Sequence, residues 1–275
     1  MSQFGIKLHQ FLSFSPWFSK VLPTGDPVRK LFMPGCSLSA SRPQQALQAY
    51  QHLQSIYDEP VGLLLTCCGK PTKYLKQPRL YKKRFHHLEN KITQSGADEI
   101  ITACQNCLQV LRQGNPQFKV SSLWTCLAEQ GLPETSKFIS QTPFTCHVQD
   151  SCATRQYPEV QQSARHLMTR LGVKYVEVDD AKGQILCCGQ GELMGSSVSD
   201  PASFLRKRAS RFDKHPVMTY CAGCQEAVHR GDSLRIICWT SSFPKKLATR
   251  SQSLSRRRYL LNGKTVVCLP QKQSL

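Results

Sequence analysis

The feature that most constrains this chain is a cysteine pattern that occurs twice. Each copy has a lone cysteine, then Cys-Cys-Gly, then Cys-x-x-Cys. The first copy is Cys36, Cys67-Cys68-Gly69 and Cys104-Gln105-Asn106-Cys107, and the second is Cys152, Cys187-Cys188-Gly189 and Cys221-Ala222-Gly223-Cys224. Matching landmarks are offset by 116, 120 and 117 residues. Such a nearly constant offset indicates an internal duplication, which governs the whole fold.

Short apolar segments lead into the cysteines of both copies. They are residues 30–33, 62–65 and 99–102 in the first half, and 143–148, 184–186 and 216–220 in the second. Each is bounded by Gly, Pro or polar residues, a pattern that predicts a short buried strand.

Between these segments, apolar residues recur at the spacing of a helix. The periodic residues are Ala46, Tyr50, Leu53 and Tyr57, then Tyr81, Phe85, Leu88 and Ile92, then Val160, Ala164, Leu167 and Leu171, then Phe204, Leu205, Arg208 and Phe212. Pro158 and Pro201 suit the first turn of a helix, and Asp200 suits a cap.

Strands that alternate with helices predict parallel pairing through right-handed crossovers. We therefore predict an α/β fold of two tandem pseudo-symmetric repeats, each a small parallel sheet with flanking helices. The cysteines are expected at the carboxyl ends of the strands, which share one edge of such a sheet. The predicted organisation is an N-terminal arm (1–29), a first repeat (30–140), a second repeat (141–240) and a basic tail (241–275).

Five thiols in each half predict a metal site with more than one metal atom. Structural zinc takes four ligands, usually from two closely spaced cysteine pairs, so each half has one thiol too many. The side chains of the adjacent residues Cys67 and Cys68 point in different directions, so they reach two metal atoms more easily than one. A dithiol redox enzyme needs two or three thiols and leaves most of the set unexplained. Zinc and organic dithiol chemistry remain the alternatives to iron and sulfur.

The doubled pattern resembles the cysteine-rich CCG-domain family of iron–sulfur proteins, which includes the catalytic subunit of heterodisulfide reductase. The resemblance covers roughly residues 30–240. It implies two noncubane [4Fe-4S] clusters, each held by five cysteines. The implied ligands are Cys36, Cys67, Cys68, Cys104 and Cys107 for one cluster, and Cys152, Cys187, Cys188, Cys221 and Cys224 for the other.

The resemblance also implies an oxidoreductase subunit that reduces a disulfide or exchanges electrons with a thiol/disulfide substrate. The alternative is a non-catalytic subunit that relays electrons or senses redox state. Gln149 stands where relatives often carry histidine; it can form hydrogen bonds but cannot shuttle protons. The sequence has no dinucleotide fingerprint and no flavin signature. Electrons are therefore expected from a ferredoxin-like or flavoprotein partner.

The formal charge is +18, from 36 Lys and Arg against 18 Asp and Glu. Such an excess attracts acidic proteins, anionic substrates or anionic lipid. No nucleic-acid motif accompanies it, so nucleic acid is not an expected partner. Four basic residues closely follow predicted ligand cysteines, namely Arg42, Lys70, Lys73 and Arg155. They could bind a small anionic substrate, either a disulfide or a thiol. The alternative is that they are solvated loop charges.

The N-terminus has apolar residues but neither a secretory signal nor the roughly 20 apolar residues of a membrane span. We expect a cytoplasmic protein whose arm packs on the body, or else lies weakly on a membrane surface. Four cysteines fall outside the motif, namely Cys126, Cys146, Cys238 and Cys268, and the first three are predicted to fill apolar space. The eight histidines show no ligand spacing.

Overall fold

The computed structural model describes residues 3–23, 27–133, 144–178, 185–195, 198–212, 215–231 and 236–238. All of them belong to one compact unit, Met1–Lys245. The predicted basic tail at 241–275 and the predicted repeat boundary at 140 fall outside the described residues.

The strands of the first half form one sheet. They are β1 (Lys20–Leu22), β2 (Lys30–Met33), β3 (Val61–Leu65), β4 (Glu99–Thr102) and β5 (Lys119–Ser122). Their order in the sheet is β1-β3-β2-β4-β5. The central strand β2 runs parallel to β3 and β4 and pairs Phe32 with Leu63 and Ile101. Leu31, Phe32 and Met33 are completely buried, as expected for a parallel strand covered on both faces.

Helices connect these strands and cover the sheet. They are α1 (Gln3–Ser13), α2 (Cys36–Ser41), α3 (Pro43–Ile56), α4 (Lys70–Tyr74), α5 (Pro78–Gln94), α6 (Gln105–Gly114) and α7 (Leu123–Gln130). Helices α3 and α5 confirm the two helices predicted from apolar spacing in this half. Both begin with a proline, Pro43 and Pro78, whose missing N–H costs nothing in a first turn.

The second half repeats this arrangement. Its strands are β6 (Phe144–Gln149), β7 (Val173–Glu177), β8 (Val217–Thr219) and β9 (Ile236–Cys238), and its helices are a 3₁₀ turn at Cys152–Thr154, α8 (Pro158–Arg170), α9 (Gln190–Gly195), α10 (Pro201–Ala209) and α11 (Ala222–Gly231). The strand order β7-β6-β8-β9 is parallel throughout. It matches β3-β2-β4-β5 of the first half, which confirms the predicted fold of two tandem α/β repeats.

The helix starts in the second half are also as predicted. Pro158 and Pro201 occupy the first turns of α8 and α10. The carboxylate of Asp200 accepts a hydrogen bond of 3.0 Å from the backbone N–H of Ser203, which satisfies a donor that the helix leaves unpaired.

One predicted strand, at residues 184–186, is wrong over the two residues that the structure describes, and residue 184 lies outside the described part of the chain. Ile185 and Leu186 lie in an irregular segment, and β7 takes the place beside β6 instead. Side chains satisfy the backbone carbonyls that a strand would use in pairing. Arg155 donates to the carbonyl of Ile185 at 2.6 and 3.1 Å, and Gln149 donates to that of Leu186 at 3.1 Å. Cys187 therefore follows a loop rather than a strand end.

The N-terminal arm packs on the first repeat, as predicted. Strand β1 adds an antiparallel edge to β3, pairing Val21 with Leu64. The inner face of helix α1 buries Ile6 and Gln10. The antiparallel strand is an addition to the parallel sheet that was predicted. No helix among the described residues is both long and apolar enough to cross a membrane.

The two repeats share a hydrophobic core. Trp124 of α7 is buried against Tyr220 at the end of β8, with ring centroids 6.4 Å apart in an edge-to-face arrangement. The indole N–H of Trp124 also donates to the carbonyl of Tyr220 at 3.1 Å. The hydroxyl of Tyr220 donates in turn to Asp150 at 2.6 Å. Because Tyr220 immediately precedes Cys221, the packing between repeats positions the second cysteine pair.

Candidate metal centres

Three strand ends bring the first five cysteines together. Cys36 opens α2 directly after β2, and Cys67 and Cys68 follow β3. Cys104 caps the start of α6 after β4, and Cys107 lies in its first turn. The sequence predicted this convergence, because parallel strands end at the same edge of a sheet.

The sulfur atoms of the first site form one continuous chain of contacts. The Sγ atoms of Cys36 and Cys67 are 3.7 Å apart. Cys67 contacts Cys68, Cys68 contacts Cys107, and Cys107 contacts Cys104. All five are free thiols, so none of them is consumed in a disulfide.

The second site has the same order of contacts. Cys152 contacts Cys187, which contacts Cys188; Cys188 then contacts Cys224, and Cys224 contacts Cys221. These five are also free thiols. The structure thus brings all ten predicted site residues into two clusters of five sulfurs with equivalent contacts. We call the cluster that contains Cys36 the first nest and the cluster that contains Cys152 the second nest. Cys187 follows a loop, whereas its counterpart Cys67 follows a strand.

The glycine after each Cys-Cys pair turns its backbone N–H towards sulfur. Gly69 donates to the Sγ of Cys67 and Gly189 to that of Cys187, both at 3.4 Å. Both glycines have positive φ, 80° and 93°, a conformation that side chains disfavour. Hydrogen bonds to ligand sulfur tune a metal centre, so these amides are part of each site.

Negative charge concentrates on Cys67 in the first nest and on Cys187 in the second, where a hydrogen bond from Cys224 also lowers the pKa of Cys221 to about 6. A hydrogen bond from the Cys36 thiol lowers the pKa of Cys67 well below its usual value, and the same contact raises the pKa of Cys36. In the second nest a hydrogen bond from Cys152 lowers the pKa of Cys187 to about 2 and raises that of Cys152. Neighbouring thiolates repel one another, so ionising all five together requires a bound cation.

The N-terminal helix contributes to the first nest, which the sequence did not predict. Gln10 is completely buried and donates from Nε2 to the Sγ of Cys67 at 3.1 Å. The hydroxyl of Thr72 holds the Gln10 oxygen at 2.6 Å. His9 also reaches Cys67, and its ring nitrogen lies within 4.8 Å of the sulfurs of Cys36 and Cys67. Nothing in the cysteine spacing signals these residues, because they precede the duplication.

Gln149, which departs from the family pattern, has a structural position in the second half. It is buried at the end of β6 and links Leu186 to Arg211, whose guanidinium donates to the Gln149 oxygen. Arg155, a predicted anion-binding candidate, instead donates to the carbonyl of Ile185. Both side chains therefore hold the loop that carries Cys187.

Helix α4 lies between the two nests. The negative charges of Cys68 in the first nest and of Cys152 in the second both act on Lys70, although burial is the main effect and lowers its pKa. Tyr74, one turn later, packs so closely on the second repeat that a Cβ added at Gly191 would lie 2.7 Å from its ring. Burial and the second nest's thiolates raise the pKa of Tyr74.

The cysteines outside the motif do not join either nest in the described residues. Cys126 and Cys146 are buried in the core, as predicted. Burial raises their pKa values to about 11 and about 12, so both remain neutral thiols near neutral pH. The Cys238 side chain and Cys268 lie outside the part of the chain that the structure describes.

The donor set fits an iron–sulfur cluster better than a zinc ion. Five linked sulfurs exceed the four ligands of structural zinc. Amide N–H groups aimed at sulfur are a feature of iron–sulfur ligation. Residue 35 has to be glycine for Cys104 to keep this position, because a Cβ there would lie 2.5 Å from the Cβ of Cys104.

Comparison with protein families finds the cysteine-rich domain, CCG. Its model matches residues 31–112 and 144–229, which together make up more than half of the chain. The two matched segments correspond to the two repeats and contain all ten nest cysteines. This domain is associated with iron–sulfur redox proteins. Comparison with curated proteins finds no significant match.

Solved structures give only distant likenesses. An aspartate racemase homologue from Pyrococcus horikoshii has 11% identity and a TM-score of 0.33, covering 78% of this chain and 95% of that chain. A glutamate racemase from Bacillus anthracis has 10% identity and a TM-score of 0.32, covering 79% and 78%. The Picrophilus torridus aspartate racemase has 11% identity and a TM-score of 0.33, covering 80% and 91%. Likenesses this weak carry no argument about function.

Proposed function

Because the chain belongs to the cysteine-rich domain (CCG) family, we propose that it is an iron–sulfur oxidoreductase subunit similar to the catalytic subunit of heterodisulfide reductase. Each nest of five cysteines would hold one noncubane [4Fe-4S] cluster. The single observation that carries the proposal is the equivalent chain of five sulfur contacts in the two repeats.

The proposed reaction takes one disulfide, two electrons and two protons to two thiols. When bound, two one-electron clusters supply the number of electrons that this reaction needs. The electrons would come from a ferredoxin-like or flavoprotein partner, since the chain carries no dinucleotide fingerprint of its own. A formal charge of +18 favours an acidic donor and speeds the encounter at low salt.

Lys70 is the residue that we assign to the anionic substrate. It is close enough to both nests for their thiolates to act on its ammonium group. Its ammonium donates to the side-chain oxygen of Gln109, which holds it in place on α4. A cation between the nests would stabilise a substrate carboxylate or a departing thiolate. Lys73 is exposed on the same helix, and its ammonium lies 5.7 Å from the ring centroid of Tyr81.

One observation favours a second candidate, a subunit that only relays electrons. The cavity that adjoins both halves, beside Cys104 and Ala222, is small and lined mainly by apolar side chains. Trp124 and Tyr220 close one side of it. A disulfide substrate would have to displace these groups, whereas electron transfer would not.

The test is an anaerobic assay in which reduced methyl viologen is the electron donor and small disulfides carrying carboxylates are the substrates. The proposal predicts viologen oxidation that depends on the disulfide, with two viologens oxidised per disulfide. Lys70→Ala should raise KM by about 10- to 150-fold, because a charge-assisted hydrogen bond contributes about 1.5–3 kcal/mol. Lys73→Ala is the matched control and should leave KM unchanged.

The two candidates give different results in this assay. A protein whose clusters are reduced by viologen, but which oxidises no further viologen when any disulfide is added, is an electron relay. That result would contradict the proposed enzyme activity while leaving the clusters in place. Equal KM values for the two lysine variants would contradict the role of Lys70.

A further inference from the structure

The N-terminal arm exposes an unusually apolar surface. We call Leu8, Phe11, Leu12, Trp17 and Phe18 the arm surface. Their exposed fractions are 46%, 69%, 40%, 76% and 43%. Five large apolar side chains exposed so close together in sequence are not typical of a protein surface that faces only water.

Three residues of the arm surface lie on α1, which is firmly packed, and Trp17 and Phe18 lie in the turn that follows it. Leu8, Phe11 and Leu12 share one face of α1 at helical spacing, opposite the buried residues Ile6 and Gln10. Gln10 is tied to the first cysteine nest by its hydrogen bond to Cys67. The exposed face is therefore presented by a helix that is held in place from beneath.

The charged residues near the arm surface in sequence are all positive. Lys7 and Lys20 are exposed within the arm itself. No acidic residue occurs among the first 25 residues. The exposed apolar side chains are thus accompanied in sequence by two exposed lysines and by no carboxylate.

We propose that the arm surface docks this protein on an anionic lipid membrane, with α1 lying in the plane of the interface. Exposed Trp and Phe side chains suit the boundary between lipid headgroups and acyl chains, and lysines beside them suit anionic headgroups. The 11 residues of α1 cannot span a bilayer, so the contact is peripheral.

The test is flotation of the full-length protein, purified without oxygen, with lipid vesicles. Vesicles of phosphatidylcholine containing phosphatidylglycerol should carry the protein to the top of the gradient. Vesicles of phosphatidylcholine alone should carry much less. High salt should weaken the binding to anionic vesicles, because part of the attraction is electrostatic.

Two double variants distinguish binding through the arm surface from non-specific hydrophobic binding to vesicles. The double variant Phe11→Ser and Trp17→Ser should weaken vesicle binding about tenfold or more, because it removes the two most exposed aromatic side chains. The double variant Leu47→Ser and Val176→Ser removes exposed apolar side chains elsewhere, at 39% and 42%, and should bind like the unaltered protein. Circular dichroism of each variant checks that it is folded.

Binding to vesicles does not depend on redox activity, so this test stands apart from the proposed function. The proposal is overturned if the unaltered protein stays below the anionic vesicles. It is also overturned if both double variants bind equally well. If the protein does not bind the vesicles and instead forms a complex with an acidic protein through the arm surface, that protein is the occupant of the surface.

Discussion

Replacing Cys68 by alanine is expected to remove about half of the bound iron, leaving about four irons where the unaltered protein holds about eight. Cys68 is buried and links Cys67 to Cys107 in the chain of sulfur contacts, so its loss breaks the first nest in the middle. The second nest has its own five cysteines and should keep its cluster. Iron analysis and electron paramagnetic resonance of the anaerobically purified variant measure this.

Two further variants serve as controls. Cys188→Ala makes the equivalent change in the second nest and should remove the other half of the iron. Cys126→Ala changes a cysteine that is equally buried but whose pKa is raised to about 11 by burial, and it should retain all of the iron. Full iron in Cys68→Ala, or an equal loss in Cys126→Ala, would contradict the assignment of the ten ligands.

The change Gly35→Ala is expected to empty the first nest without altering any cysteine. Gly35 has φ +83° and ψ 151°, a region that is essentially restricted to glycine. A Cβ at this position would lie 2.5 Å from the Cβ of Cys104, a distance that forces either the backbone or Cys104 to move. Displacement of Cys104 should cost the first cluster, so iron should again fall to about four per chain.

Gly172→Ala is the matched control for backbone strain. Gly172 also has a positive φ, 70°, but a Cβ added there would meet nothing within 4 Å. This variant should lose about 1–2 kcal/mol of stability from the left-handed conformation and keep all of its iron. Iron loss in both glycine variants would show that strain, rather than the approach to Cys104, empties the nest.

The duplication and most of the fold were predictable because their signals are local. The offset between matching cysteines identified two repeats, and apolar segments such as residues 30–33 and 99–102 became strands where predicted. Prolines at 158 and 201 marked helix starts because a first turn has no use for their missing N–H. These features depend on short stretches of chain, which sequence patterns describe well.

The failures arose where distant residues decide the outcome. The apolar residues Ile185 and Leu186 suggested a strand, but Arg155 and Gln149 bond their carbonyls and hold them in a loop. The true strand β7 was missed because it lies at a sheet edge with several exposed side chains, and so lacks the apolar run of a buried strand.

The contribution of the N-terminal helix to the first nest was equally hidden. Gln10 reaches Cys67 across 57 residues of sequence, and no pattern in the chain connects the two. His9 has no spacing to another histidine that is typical of metal ligands, whereas the folded structure places it beside Cys36 and Cys67. The two nests are thus alike in their cysteines but differ in the side chains that surround them.

The most direct test of the central claim is metal and sulfide analysis of the protein purified without oxygen. Two nests of five thiolates that each hold a four-iron cluster predict a brown protein with about eight irons and about eight acid-labile sulfides per chain. Zinc should be absent. A colourless protein that carries zinc, or one whose nest cysteines are joined in disulfides, would contradict the account.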